Sequence, residues 1–131
     1  MSRDKVETLL LAYEAFNQGD WDRALSVFTP DAEWHEPDLP EAAVYRGHAG
    51  IRQYWQSLES TVPGFRSRPE RFYDAGDRVV VSSVVSGTGV ESGVEVEARV
   101  GMVWTFREGK AVRCVVRRQL TDALESVGLT E

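Results

Sequence analysis

The alternation of apolar and polar residues is clearest over residues 94–106, where every second residue is apolar. Successive side chains of a strand point to opposite faces of the sheet, so this pattern predicts a long strand with one buried face. Shorter strands are predicted over residues 65–73, 78–86 and 111–119, with glycine-containing turns between them. The second half of the chain is therefore predicted to form a four-stranded antiparallel meander.

The first half of the chain has the three-to-four-residue spacing of helices. The apolar positions of the three predicted helices are Val6, Leu9, Leu10, Tyr13 and Phe16 in the first, Trp21, Ala24, Leu25 and Phe28 in the second, and Ile51, Trp55, Leu58 and Val62 in the third. Asp20 is suited to cap the second helix, and residues 44–46 form a short extended piece. A short helix over residues 121–127 ends the chain. One sheet with helices on one face is an α+β arrangement.

Composition and charge limit the classes of protein. A chain of 131 residues with 42% hydrophobic residues is expected to form one globular domain, residues 1–131. The net charge of −6 argues against a nucleic-acid partner, which needs a basic face. The apolar runs are too short to span a bilayer, so we expect no membrane partner and a cytoplasmic location. Cys114 is the single cysteine, and its valine neighbours predict a buried thiol.

Residues 31–37, Asp-Ala-Glu-Trp-His-Glu-Pro, form the stretch with the clearest candidate chemistry. In a strand, Trp34 and Glu36 share one face, while Glu33 and His35 share the other. If the Trp34 face points inward, Glu36 is a carboxyl group in an apolar setting. Burial then raises its pKa and suits it to acid/base work near neutral pH.

Several short sequence motifs occur along the chain in an order typical of one superfamily. They occupy residues 17–22, 28–37, 45–51, 74–79, 104–110 and 123–129, and include Phe-Thr-Pro-Asp-Ala-Glu-Trp-His-Glu-Pro and Trp-Thr-Phe-Arg-Glu-Gly-Lys. The chain resembles the nuclear transport factor 2-like superfamily, in its SnoaL-like polyketide cyclase and ketosteroid isomerase branch. That resemblance implies a cone-shaped, cystatin-like fold, in which a curved and mostly antiparallel sheet wraps around three N-terminal helices.

The resemblance also implies an apolar cavity that binds a small apolar organic molecule without a cofactor. The cavity-lining residues that this geometry implies are Tyr13, Phe16, Trp34, Glu36, Trp55, Val100, Met102, Trp104, Val116 and Arg118. Members of this fold commonly form homodimers through the convex face of the sheet. Arg99, Arg113 and Arg117 are expected on that face with Glu95 and Glu97, where a twofold contact would pair opposite charges.

Within this superfamily, the chain matches the catalytic positions of the ketosteroid isomerases only in part. Glu36 before Pro37 matches the general base of the ketosteroid isomerases, whose oxyanion hole combines a tyrosine and a protonated aspartate. Met102 occupies the aspartate position and Ala12 the tyrosine position, with Tyr13 one residue away. We therefore expect no isomerisation of ketosteroids.

Other enzymes of this fold match less well. The acid/base positions of the polyketide cyclases fall on valine, cysteine and arginine, so a cyclase role rests on the similarity of fold alone. In such a role, the hydrogen-bond donor to the enolate would be Arg118, Tyr13, Trp34 or Trp104. The aspartate–arginine–aspartate set of the epoxide hydrolases would need Arg99 inside, whereas strand alternation places it outside.

Three functions remain open. The first is acid/base catalysis of the isomerase, cyclase or dehydratase kind with Glu36 as general base. The second is a noncatalytic binding module, and the third is a dimeric association domain with a filled cavity. The alternative for Glu36 is a carboxylate at the mouth of the sheet that is solvated or paired with Arg118 or Arg46. No metal site is expected, because His35 and Glu36 point to opposite faces of the strand.

Overall fold

The order of helices and strands follows the predicted order closely. A computed structural model describes residues 2–130, with only the backbone of Ser2. Its elements are α1 (Ser2–Asn17), α2 (Trp21–Leu25), β1 (Phe28–Glu36), β2 (Ala43–Arg46), α3 (Gly47–Thr61), β3 (Arg66–Ala75), β4 (Arg78–Thr88), β5 (Glu95–Arg107), β6 (Lys110–Arg117) and α4 (Leu120–Ser126). Among these described helices, none combines the length and the apolar composition needed to cross a bilayer.

Six strands form one sheet in the order β2-β1-β6-β5-β4-β3. The predicted meander of β3 to β6 is confirmed, because each of these strands pairs antiparallel with the next. Strand β1 joins the sheet parallel to β6 and antiparallel to β2. The sheet is curved and mostly antiparallel, as the predicted α+β fold requires.

The helices cover both faces of the sheet, whereas the sequence predicted helices on one face only. The three N-terminal helices enclose the main core on the concave face, where Leu9 and Ile51 are fully buried. Helix α4 packs on the convex face, against β5. This approach requires Gly101, because a Cβ atom there would lie 2.6 Å from the Cβ of Ala123.

The predicted buried face of β5 is correct for only part of the strand. Met102 and Trp104 are 4% and 3% exposed, but Val94 and Val96 are 58% and 50% exposed. The pairing of β5 with β6 extends only as far as Gly101. The first residues of β5 therefore have a neighbouring strand on one side only, and their alternation does not produce burial.

The second helix is shorter than its apolar spacing predicts. Asp20 caps it as expected, accepting a hydrogen bond from the backbone N–H of Arg23 at 3.3 Å. The helix ends at Leu25, however, and Phe28 begins β1 opposite Ala111 of β6. Phe28 still lies in the core, but pairing with a distant strand has overridden its local helical spacing.

Candidate active site

An apolar cavity of about 190 Å³ lies between the concave face of the sheet and the helices. Its lining residues come from α1, α2, α3 and all strands except β2, together with Phe65. They are Ala12, Tyr13, Phe16, Ala24, Phe28, Trp34, Glu36, Tyr54, Trp55, Leu58, Phe65, Ser67, Val85, Val100, Met102, Trp104 and Val116. The structure thus brings together nine of the ten residues that the sequence analysis placed on the wall; their role in binding a ligand stays a prediction.

Arg118 does not line the cavity, which corrects the tenth expectation. Strand β6 ends at Arg117, so the alternation of faces does not extend to the next residue. The side chain of Arg118 is exposed. Its backbone N–H donates to Oδ2 of Asp38 at 2.9 Å, which ties the loop after β1 to the end of β6.

Glu36 is buried on the cavity wall, with 8% of its surface exposed. Its Oε2 atom accepts hydrogen bonds from the indole N–H of Trp34 at 2.9 Å and from the hydroxyl of Tyr54 at 2.8 Å. Its Oε1 atom accepts no hydrogen bond from any described residue. One oxygen thus fixes the orientation of the carboxyl group while the other remains available to a bound molecule.

The alternative partners considered for Glu36 bind elsewhere. Nε of Arg46 donates to Oε2 of Glu33 at 3.1 Å, on the opposite face of β1. Arg118 contacts Asp38 through its backbone. Glu36 therefore forms no ion pair with either arginine, and with 8% of its surface exposed it is not a surface carboxylate.

The surroundings of Glu36 shift its proton affinity upward. Burial raises the pKa of Glu36 above its ordinary value, the hydrogen bonds from Trp34 and Tyr54 oppose the rise, and the negative charge of Asp38 adds to it. Asp38 itself stays ionised, because the hydrogen bond from Arg117 holds its pKa below the usual range. A carboxyl group shifted towards neutral pH is suited to both accepting and releasing a proton.

Tyr54 is the hydrogen-bond partner of Glu36 that the sequence analysis missed. It lies three residues after Ile51 and four before Leu58, so the helical spacing of α3 already placed it on the apolar face. Its ring stacks on that of Tyr45 of β2, with centroids 4.4 Å apart and an angle of 22° between the planes. Burial and the adjacent Glu36 raise the pKa of Tyr54, so its hydroxyl remains a donor.

Tyr13 is the centre of a second hydrogen-bonded cluster on the cavity wall. Its hydroxyl donates to Sδ of Met102 at 2.9 Å and accepts from Oγ of Ser83 and Nε1 of Trp104, both at 3.2 Å. Burial raises the pKa of Tyr13. In the resemblance to the ketosteroid isomerases, Ala12 occupies the tyrosine position and Met102 the aspartate position. Tyr13 is one residue away from the first, but its hydroxyl contacts Met102.

The two histidines lie outside the cavity wall. Nε2 of His35 is 2.9 Å from Oε1 of Glu33, on the face opposite Glu36 as expected. Nε2 of His48 is 3.2 Å from the carbonyl oxygen of Phe28. Within residues 2–130, no three side chains of His, Cys, Asp or Glu lie close enough together to hold a metal ion. Cys114 is buried, as predicted.

Comparison with known proteins gives relatives of the same fold. Residues 11–114 match the family model described as a SnoaL-like domain. TerC, crystallised with polyporic acid, is 29% identical, with a TM-score of 0.80 over 95% of this chain and 98% of TerC. A nuclear transport factor 2-like protein from Burkholderia thailandensis is 28% identical, with a TM-score of 0.77 over 87% of this chain and 89% of its own.

A more distant structure has the same fold. A putative SnoaL-like polyketide cyclase from Jannaschia is 17% identical, with a TM-score of 0.78 over 98% of this chain and 94% of its own. No curated protein sequence matches this chain significantly. The family match spans most of the chain, and the neighbouring structures share its overall fold. The chain therefore belongs to the SnoaL-like family of the nuclear transport factor 2-like fold.

Proposed function

We propose that this protein binds a small aromatic molecule in the cavity and moves a proton on it with the carboxyl group of Glu36. The observation that carries this proposal is the arrangement of that group: Oε2 is held by Trp34 and Tyr54, and Oε1 is unoccupied on an apolar wall. Preorganised orientation and a raised pKa are the two properties that a general base at neutral pH requires.

The cavity supports a binding function. About 190 Å³ inside the cone is empty, which argues against an association domain with a filled interior. Eight of the seventeen lining residues are aromatic, and such walls favour flat rings that stack or pack edge to face. TerC, a relative of the same fold, was crystallised with the organic molecule polyporic acid.

The donors expected to stabilise an enolate are occupied. Trp34 donates to Glu36, Trp104 donates to Tyr13, and the hydroxyl of Tyr13 donates to Met102. Arg118, the fourth candidate, lies outside the cavity.

Two other wall residues carry donors. The indole N–H of Trp55 and the hydroxyl of Ser67 are buried with no partner among the described residues. A buried unpaired donor is costly, but both atoms are covered by the surrounding protein, so neither is directly within reach of a ligand oxygen in the cavity.

The chemical step is testable without knowledge of the natural substrate. An aryl ketone such as indanone, bound beside Glu36, would lose a proton from its α-carbon to Oε1. The C–H bond breaks, an O–H bond forms, and the electron pair moves to the carbonyl oxygen as an enolate. In heavy water the reverse step returns a deuteron, so NMR would follow the loss of the α-proton signal.

The wild-type protein is expected to accelerate this exchange by about 100-fold or more over Glu36→Gln, the usual size of a general-base contribution. The matched control is Glu33→Gln, because Glu33 lies on the same strand and points away from the cavity. Equal exchange in wild type and Glu36→Gln, with the ketone still bound, would support the noncatalytic binding module in place of catalysis.

The association state is proposed to be a homodimer through the convex face of the sheet. Helix α4 covers that face around Val80 and Val103 and leaves the area around Arg99 uncovered. Two of the arginines expected to pair with a second copy also form ion pairs within the chain. Arg99 pairs with Glu70 at 2.7 Å, and Arg113 lies 3.7 Å from Glu33. A monomer mass by light scattering at micromolar concentration would contradict this dimer.

A further inference from the structure

A second concavity, here called the outer groove, adjoins the inner cavity that contains Glu36. It has a volume of about 360 Å³. The two spaces share four wall residues, Phe16, Trp55, Leu58 and Phe65. These side chains form the partition between the spaces, so a molecule that reaches past them would occupy both.

The volumes suggest that one molecule uses both spaces. An engineered apolar cavity of about 150 Å³ binds benzene, so the inner cavity, at about 190 Å³, has room for about one substituted aromatic ring. Binding sites for small molecules usually measure about 300–1,000 Å³. The inner cavity alone is below that range, and the outer groove supplies the missing space.

The chemistry of the walls differs between the two spaces. The inner cavity is lined mainly by aromatic and aliphatic side chains, whereas the outer groove includes Asn17, Glu59 and Arg66. The amide of Asn17 is occupied, because it donates to and accepts from the backbone of Ser67, both at 2.9 Å. Glu59 accepts from the backbone N–H of Gly64 at 3.2 Å. The remaining charged donor is the guanidinium of Arg66.

Arg66 has hydrogen-bonding capacity to spare. One of its terminal nitrogens donates to the carbonyl oxygen of Asn17 at 2.8 Å, which holds the guanidinium at the groove. A guanidinium carries five N–H donors in a planar fork, and its other donors make no hydrogen bond to a described residue. Such a fork is complementary to a carboxylate.

We propose that the ligand has two parts: an aromatic ring in the inner cavity beside Glu36, and an extension across the partition that ends in a carboxylate bound by Arg66. This inference rests on the proposed function, because it takes the inner cavity as the site of the ring.

The experiment compares phenol with a series of ω-(4-hydroxyphenyl)alkanoates, in which a chain of increasing length joins the ring to a free carboxylate. Binding would be followed by the fluorescence of the three tryptophans on the wall, Trp34, Trp55 and Trp104. Affinity is expected to rise about tenfold or more once the chain is long enough for the carboxylate to meet the guanidinium. The corresponding neutral amides should show a smaller rise.

Two variants test the role assigned to charge. Arg66→Gln should remove most of the gain for the long carboxylates and leave the affinity for phenol unchanged. Glu59→Gln should increase the affinity for the same carboxylates, because it removes a negative charge from the groove. Arg68→Gln is the matched control, since this exposed arginine of the same strand lines neither space.

The outcomes separate this inference from the function on which it rests. If phenol binds but affinity does not depend on chain length, the two-part ligand is wrong and the inner cavity remains the binding site. If the gain persists in Arg66→Gln, the carboxylate does not bind at Arg66. If neither phenol nor any alkanoate binds, the proposed binding of aromatic molecules fails as well.

Discussion

The hydroxyl of Tyr54 on α3 donates a hydrogen bond to Oε2 of Glu36 on β1, with 2.8 Å between the oxygens. The contact joins residues that are eighteen positions apart. The position of α3 therefore helps to set the orientation of the candidate base. Because the indole of Trp34 donates to the same oxygen, both donors stabilise the ionised carboxylate and limit the effect of burial.

The first prediction concerns this contact. Tyr54→Phe removes a donor to the ionised form, so the pKa of Glu36 should rise further above its ordinary value. A carbon-13 NMR titration of the labelled glutamate carboxyl groups would measure the change. Tyr45→Phe is the control, because it keeps the ring that stacks on Tyr54 and Tyr45 makes no contact with Glu36 among the hydrogen bonds described. An unchanged titration in Tyr54→Phe would contradict the assigned role.

The second prediction concerns the pH dependence of stability. Burial raises the pKa of Glu36 in the folded protein, so between the unfolded and folded pKa values the native state binds more protons than the unfolded chain. The contribution of Glu36 to the free energy of unfolding therefore falls as pH rises through that window. Above the window, the buried carboxylate continues to destabilise the folded protein.

Glu36→Gln lacks this penalty. Its stability relative to wild type should increase as pH rises above the ordinary range of a glutamate pKa, as measured by urea unfolding at each pH. The carboxyl groups of Glu33 and Asp38, whose pKa values are lowered, act in the opposite direction, but they are present in both proteins and largely cancel in the difference. A relative stability that decreases with pH would show the assigned direction to be wrong.

The third prediction concerns the cluster around Tyr13. Tyr13→Phe would leave Oγ of Ser83 and Nε1 of Trp104 without their acceptor in a buried setting. The loss should lower the free energy of unfolding by about 1–3 kcal/mol, the usual cost of buried donors that become unpaired. Urea unfolding would measure it, with Tyr45→Phe as a half-buried tyrosine for comparison. Equal effects of the two substitutions would argue that the cluster contributes no specific stability.

The fourth prediction compares two glycines. Gly101→Ala would force a methyl group to within 2.6 Å of the Cβ of Ala123, and we expect a loss of about 1–3 kcal/mol as α4 is displaced. Gly50→Ala meets no atom nearer than 3.6 Å and lies inside α3, so it should stabilise by about 0.5–1 kcal/mol. Thermal unfolding of both variants would test the pair, and a neutral Gly101→Ala would mean that α4 does not depend on this close approach.

The fifth prediction is that the protein does not isomerise a 5-ene-3-ketosteroid. The hydroxyl of Tyr13 donates to the thioether of Met102, where the isomerases of this superfamily have a protonated aspartate. The site therefore lacks the carboxyl donor to a dienolate. The conjugated ketone product absorbs in the ultraviolet, so turnover that disappears in Glu36→Gln would contradict this expectation directly.

Local patterns along the chain predicted much of the site. The alternation over Trp34 and Glu36 placed both side chains on one face, the alternation of β5 did the same for Met102 and Trp104, and the resemblance to the superfamily implied that these faces line a cavity. The same reasoning failed at Arg118, because β6 ends one residue earlier, and at Val96, because β6 does not reach that part of β5. Alternation states which residues share a face, but it does not show where a strand ends or what covers it.

The sequence by itself determined the element order, the shared strand face of Trp34 and Glu36 and the aromatic character of the neighbouring positions, because these follow from spacing within single helices and strands. Only the tertiary structure decided that Tyr54 donates to Glu36 and that Arg46 pairs with Glu33. It also decided that α4 covers the convex face and that Arg66 lies in a groove beside the inner cavity. Such contacts join distant segments, and their geometry depends on how whole helices pack against the sheet.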